Sequence, residues 1–283
     1  MNVANYLAVN AVRFPHRIAT YQGDVPALSY AELACQARRW ATFFARQGLA
    51  PGERVALFLP NSPVYIELLC GAWYAGLVVV PVNAKLSVAE VGYIADDSGS
   101  CIVFCERDDV AQALTDTLVL PPMLPEGLVH EESFDRPVFR APDAPAWIFY
   151  TSGTTGKPKG ATLTHLNLAA MSACYAANIE PVTAQSRLVH FAPMSHGSGL
   201  YIVPYLMAGG ANVIPGSLKF SGESFVSTLA GHDHVSMFLA PTMIRRVLDY
   251  LAAHQPEYSA AHIATITYGG GPMYAKDLEA ALR

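Results

Sequence analysis

Residues 150–160 read Tyr-Thr-Ser-Gly-Thr-Thr-Gly-Lys-Pro-Lys-Gly. Apolar Ala146-Trp147-Ile148-Phe149 leads in, and alternating Ala161-Thr162-Leu163-Thr164 leads out. A buried strand therefore delivers this loop, which argues against the solvated linker that Gly/Ser/Thr clusters usually form. Gly153, Gly156 and Gly160 let backbone N–H groups turn toward a ligand with no Cβ in the way. Consecutive amides in such a turn make an anion-binding concavity. The hydroxyls of Thr151, Ser152, Thr154 and Thr155 and the ammonium groups of Lys157 and Lys159 add donors. A polyphosphate on which negative charge moves is the ligand that needs this set.

Short apolar strands alternate with capped helices on both sides of the loop. Ser29 and Glu32 spell a capping box, followed by a stripe of Leu33, Ala37, Trp40, Ala41 and Phe44 that ends at Gly48. Residues 54–59 read as a buried strand, Asn61 as the N-cap of a helix with Pro63 in its first turn, and 77–82 as the next strand. Ser87 and Glu90 repeat the box, and 101–105 is a strand whose alternation puts Cys101 and Cys105 on one face. Thr164 caps a helix, and strands follow at 187–192, 211–214, 235–240 and 263–268 with helices between them. The pattern predicts an α/β protein of layered mixed or parallel sheets flanked by helices. One sub-sheet is expected over about 1–107 and an irregular connector with six prolines over 108–145. The loop and a second sub-sheet are expected over 146–283.

Composition excludes several classes. Hydrophobic residues make up 52% and charged ones 14%, which describes a globular chain with a large core. A net charge of -5 leaves no basic footprint for nucleic acid. Five scattered cysteines read as reduced thiols of a cytoplasmic protein, with no ligand set for a metal. The most apolar run, 68–82, is broken by Gly71, Gly76 and Pro81 and is too short to span a bilayer.

The loop is not a Walker loop: Gly153 and Gly156 are separated by two residues, and Lys157 is followed by proline. Residues 151–160 instead resemble the nucleotide signature of the AMP-forming adenylating superfamily of acyl-CoA synthetases, luciferases and adenylation domains. Within it, the chain is most similar to fatty-acyl-CoA ligases. The resemblance implies a carboxylate attacking the α-phosphorus of ATP, loss of pyrophosphate, and displacement of AMP from the acyl-adenylate by the thiol of coenzyme A. It implies ATP, Mg²⁺ and coenzyme A as cofactors and a small carboxylic acid as partner, and it is compatible with a homodimer. Thr151, Ser152, Gly153, Thr154, Thr155, Gly156 and Lys159 would hold phosphates, with Lys159 as the signature lysine and Lys157 exposed and dispensable. The resemblance reaches the truncated large N-terminal domain only. The aromatic-Gly-x-Thr-Glu stretch, the ribose aspartate and the small C-terminal lid are not found, so weak or absent ligase activity is expected of these residues alone.

Other residues carry weaker signals. His196 follows a strand among small residues, where a lone histidine is as often structural as functional; the resemblance makes it a ring lining the acyl pocket. Gly269-Gly270-Gly271-Pro272 is by itself a tight turn, and by resemblance the flat surface under adenine, with Ala240-Pro241-Thr242 beside the channel. His232-Asp233-His234 reads as a solvated turn and not a metal site, and Asp96-Asp97 as surface. Residues 187–201 contain no acidic side chain to pair a substrate ammonium, which favours a simple acid over an amino acid. A medium- or long-chain fatty acid comes first, with an aryl or short-chain acid behind it. The rival readings are a non-catalytic fold or dimerisation module and a phosphate-loop NTPase.

Overall fold

Three helices begin where the sequence puts their caps. In the computed structural model, Ser29, Ser87 and Thr164 each accept a backbone N–H from the residue three positions on, and Glu32, Glu90 and Asn167 reach back. Each reciprocal box satisfies amides that the first helical turn leaves without partners. The structure describes residues 1–128, 133–151, 157–217 and 219–282.

In chain order come α1 (Ala4–Arg13), β1 (Ile18–Gln22), β2 (Val25–Ser29), α2 (Tyr30–Arg46), β3 (Arg54–Phe58) and α3 (Pro63–Tyr74). Next are β4 (Val78–Pro81), α4 (Val88–Ser98), β5 (Ser100–Cys105), α5 (Asp108–Ala113) and β6 (Leu118–Leu120). β7 (Pro145–Thr151), β8 (Lys159–Thr164), α6 (His165–Asn178), β9 (Arg187–Val189), α7 (Gly197–Leu200) and α8 (Ile202–Ala208) follow. The rest is β10 (Ala211–Ile214), α9 (Gly222–Leu229), β11 (Val235–Leu239), α10 (Pro241–His254), β12 (Ile263–Tyr268) and α11 (Ala275–Ala281).

The strands form two six-stranded mixed sheets, ordered β6-β5-β3-β4-β7-β8 and β12-β11-β9-β10-β1-β2. Among the described residues, pairing is antiparallel only in the hairpins β1/β2 and β7/β8. The largest core cluster joins α1, α2, α3 and α8 to the inner faces of both sheets. Separate clusters pack α4 and α5 on the outside of the first sheet and α9 and α10 on the outside of the second. Trp40 meets Phe104 edge-on at 5.4 Å, and Trp73 lies 6.1 Å from Trp147. Each such fully buried ring contributes about 2–3 kcal/mol through removal of apolar area from water.

Three expectations change. The sheets do not divide at 107 and 146: β1 and β2 join the second sheet through β10, while β6, β7 and β8 join the first. Which sheet a strand enters depends on the apolar layer its face can cover, and chain neighbours need not share one. α1, β1 and β2 also lack the local signals that marked later elements; α1 starts after Val3 with no side-chain cap. Cys101 and Cys105 do not share a face, because the register of β5 against β3 skips Cys101 and reverses the alternation beyond it. His232 is buried rather than solvated: its Nε2–H donates to the Gly23 carbonyl at 2.9 Å, so Nδ1 accepts from Arg187 at 3.1 Å.

Candidate active site

The β7–β8 hairpin carries the glycine loop. Ser152, Gly153, Thr154, Thr155 and Gly156 lie outside the described residues. Thr151 and Lys159 pair across its base, and both are exposed. Gly160 pairs with Tyr150, and a Cβ there would come 2.7 Å from the Ile148 side chain and 3.0 Å from the Tyr150 ring. The far end of α4 braces this hairpin. The Tyr150 hydroxyl donates to Asp97 Oδ2 at 2.6 Å, and Lys157 Nζ lies 5.4 Å over the Tyr93 ring. Burial and the neighbouring carboxylate push the Tyr150 phenol above its ordinary range. Asp97, read as plain surface, is exposed but holds the loop's lead-in strand.

His196 sits in the turn between β9 and α7. Its Nδ1 lies 3.0 Å from Ser195 Oγ, and its ring meets Phe149 of β7 edge-on at 5.9 Å. Burial lowers its pKa, so the ring is neutral near pH 7. The histidine thus reaches the strand that enters the glycine loop, two residues before Thr151.

The turn after β12 meets the same place from the other side. Gly270 has φ +78°, a backbone that glycine adopts without strain. A Cβ on Gly269 would stand 3.2 Å from the Phe238 ring, and one on Gly197 would stand 2.9 Å from it. Phe238 therefore lies between the His196 turn and the glycine turn, with room for hydrogen alone on both. Tyr201 packs on that ring at 5.9 Å and 31°. Gly271 lies beside Pro241, where a Cβ would be 4.0 Å from Cδ, and Pro272 is exposed. Thr151, Lys159, His196 and the glycine turn are thus linked through Phe149 and Phe238, two rings that sequence reasoning passed over. Their spacing gave no signal; each reads locally as an ordinary strand residue.

Asn61 does not cap α3. Ser62 is the N-cap of α3, accepting from the Tyr65 amide at 3.2 Å, because Pro63 occupies the first helical position. The spare amide of Asn61 crosses to the other sheet and bonds the main chain of residues 190–194. Two adjacent capping residues before one proline were the available hint. Two hollows, of about 360 Å³ beside Arg17 and Arg187 and about 680 Å³ between α10 and α11, contain none of these residues. Among the described residues no group of three or more His, Cys, Asp or Glu could hold a metal ion. No described helix is long and apolar enough to cross a membrane.

The chain is similar to proteins of known family. The AMP-binding enzyme family matches residues 7–283. A feruloyl-CoA synthase of an Amycolatopsis species is 32% identical over 270 residues, covering 92% of this chain and 52% of the relative. The long-chain-fatty-acid–CoA ligase FadD13 of Mycobacterium tuberculosis is 33% identical over 198 residues, covering 66% of this chain and 39% of its own length. ATP-bound MatB from Rhodopseudomonas palustris superposes with a TM-score of 0.82 at 27% identity, covering 99% of this chain and 57% of that one. The chain spans about half the length of the curated relatives it matches.

Proposed function

This chain belongs to the AMP-binding enzyme family, and we propose that it builds the ATP- and acid-binding cleft of an AMP-forming acid–CoA ligase. The observation that carries this reading is the convergence of three separate segments: Phe149 of the loop hairpin meets His196, and Phe238 fits between Gly197 and Gly269. A carboxylate oxygen attacks the α-phosphorus of ATP and pyrophosphate leaves; coenzyme A thiol then displaces AMP. Lys159 and the hydroxyls of Thr151, Ser152, Thr154 and Thr155 donate to the phosphates as charge moves onto pyrophosphate, and Gly153 and Gly156 belong to the same phosphate-binding set. Mg²⁺ enters as part of the MgATP substrate, carried on phosphate oxygens. Neutral His196 lines the acid without drawing its charge away from phosphorus. Gly269, Gly270, Gly271 and Pro272 offer a surface on which a flat base can lie.

The acid is a simple carboxylic acid, since residues 187–201 offer no carboxylate for an ammonium. A medium- or long-chain fatty acid is the first reading. An aryl acid is the second, favoured by the ring set of Phe149, Tyr201 and Phe238 around the glycines. The test is acid-dependent pyrophosphate release by the polypeptide encoded by the intact reading frame, using fatty, aryl and short acids with Lys159→Ala as control. AMP and pyrophosphate in equal amounts support the reading. Formation of ADP, or release that ignores the acid, sinks it.

A further inference from the structure

Asn61 lies in the loop after β3, a strand of the first sheet, yet its side chain is spent entirely on the second. Its Nδ2 donates to the carbonyls of His190 and Ala192, each at 2.9 Å, and its Oδ1 accepts the Met194 amide at 2.8 Å. Two donors and one acceptor on a single short side chain are what a primary amide supplies. No other residue of that length does so: aspartate would set oxygens against two carbonyls.

The bonded segment continues directly into the His196 turn. The Met194 carbonyl fills the space where a Cβ of Gly199 would stand, so the segment closes on α7 without slack. The His196 amide donates to the Pro193 carbonyl at 3.1 Å, and the Gly199 amide donates to the His196 carbonyl at 3.0 Å. A second anchor holds the turn from within its own sheet. His190 lies between Asn212 Oδ1, 3.0 Å from Nε2, and Ser198 Oγ, 2.8 Å from Nδ1. With Nε2–H donating to the Asn212 carbonyl oxygen, Nδ1 accepts from Ser198, which ties the start of α7 to β10. Hydrogen bonds therefore hold this turn from both sides, and those of Asn61 reach it from the first sheet.

We propose that Asn61 is a positioning residue of the acid wall: it sets the spacing between the β9–α7 turn and the loop hairpin, and through it the place of the substrate carboxylate. The proposal rests on the reading of this cleft as an acid-adenylating site. Near-attack geometry is sensitive to shifts well under the size of the ligand, with about 100-fold lost for a displacement of about 1 Å.

The test pairs Asn61→Asp, which keeps size and removes both donors, with Ser62→Ala, which removes the adjacent helix cap and touches nothing in the turn. Hydrogen exchange in this chain is read at the Met194 amide. Aspartate keeps an acceptor for the Met194 amide but repels the His190 and Ala192 carbonyls, so protection there is expected to fall about tenfold or more in Asn61→Asp through displacement of the segment, and to stay at the wild-type level in Ser62→Ala. Unchanged protection in Asn61→Asp overturns the clamp. In the polypeptide of the intact reading frame, acid-dependent ATP–pyrophosphate exchange is then measured. The KM for the acid is expected to rise about tenfold in Asn61→Asp, with the KM for ATP within about twofold of wild type. Parallel changes in both, or changes that Ser62→Ala reproduces at equal loss of thermal stability, reduce Asn61 to a structural residue and overturn the proposal. A wild type inactive with every acid sinks the adenylation reading and the acid-positioning role with it, and the clamp is then decided by Met194 alone.

Discussion

Residues 190–199 are tied down from several directions: Asn61 takes three main-chain groups, the Ser198 side chain is bonded to His190, and Gly199 presses on the Met194 carbonyl. Across the cleft, the β7–β8 hairpin leaves Thr151, Lys157, Lys159 and most of β8 exposed, braced mainly through Tyr150 and Asp97. On the proposed reading, the two walls differ because their ligands differ. A neutral acyl group is recognised by shape, so its wall must be set before it arrives. A triphosphate is recognised by charge and donors, and donors already bonded within the protein are of no use to it.

Four substitutions or conditions would break or sharpen this contrast. Lys159→Ala, on the unbonded wall, is expected to cut acid-dependent pyrophosphate release on the order of 100-fold or more, as loss of a donor to developing charge does. Its melting temperature should stay within about 1 °C of wild type, because the exposed side chain supports no packing. A melting temperature that falls with the rate would place Lys159 among structural residues. Gly199→Ala, on the bonded wall, should do the reverse and lower stability by roughly 3 kcal/mol in denaturant titration, since its Cβ has to displace the Met194 carbonyl. Full stability in that variant would show that the turn has slack.

Acid should loosen the bonded wall. Burial holds the His190 imidazole down to about 4 from its usual 6.5. The unfolded chain takes up that proton first, so the contribution is whole above pH 6.5 and drains as pH falls toward 4, with about 2 kcal/mol gone by pH 5. His165, also held at about 4 by burial, adds a loss of the same sign. Thermal melts between pH 7 and 5 should therefore be steeper for wild type than for His190→Gln; equal slopes would remove His190 as the cause. The smallest effect belongs to Lys157→Ala, which loses a ring contact with Tyr93 and should change pyrophosphate release less than about fivefold.

Local chemistry was enough to write much of this molecule. Capping boxes at Ser29, Ser87 and Thr164 required a hydrogen bond within three residues, and strands such as β3 and β11 announced themselves as short apolar runs. The strand that delivers the loop was legible for the same reason, as an apolar run followed by named donors, whereas its antiparallel pairing with β8 came from the structure. Where local signals were duplicated or missing, the reading failed. Asn61 and Ser62 both look like caps, and only the proline at the first helical position decides between them.

What the sequence determined by itself was therefore most of the capped helices and apolar strands after Ser29 and the residue types offered by the loop, because those depend on interactions between near neighbours. Tertiary structure alone decided that β1 and β2 leave for the second sheet, that Phe238 sits between Gly197 and Gly269, and that Asn61 reaches across 133 positions to Met194. Those contacts follow from which apolar faces can be covered at once when two sheets close on a shared layer of helices. No periodicity of the chain records that choice.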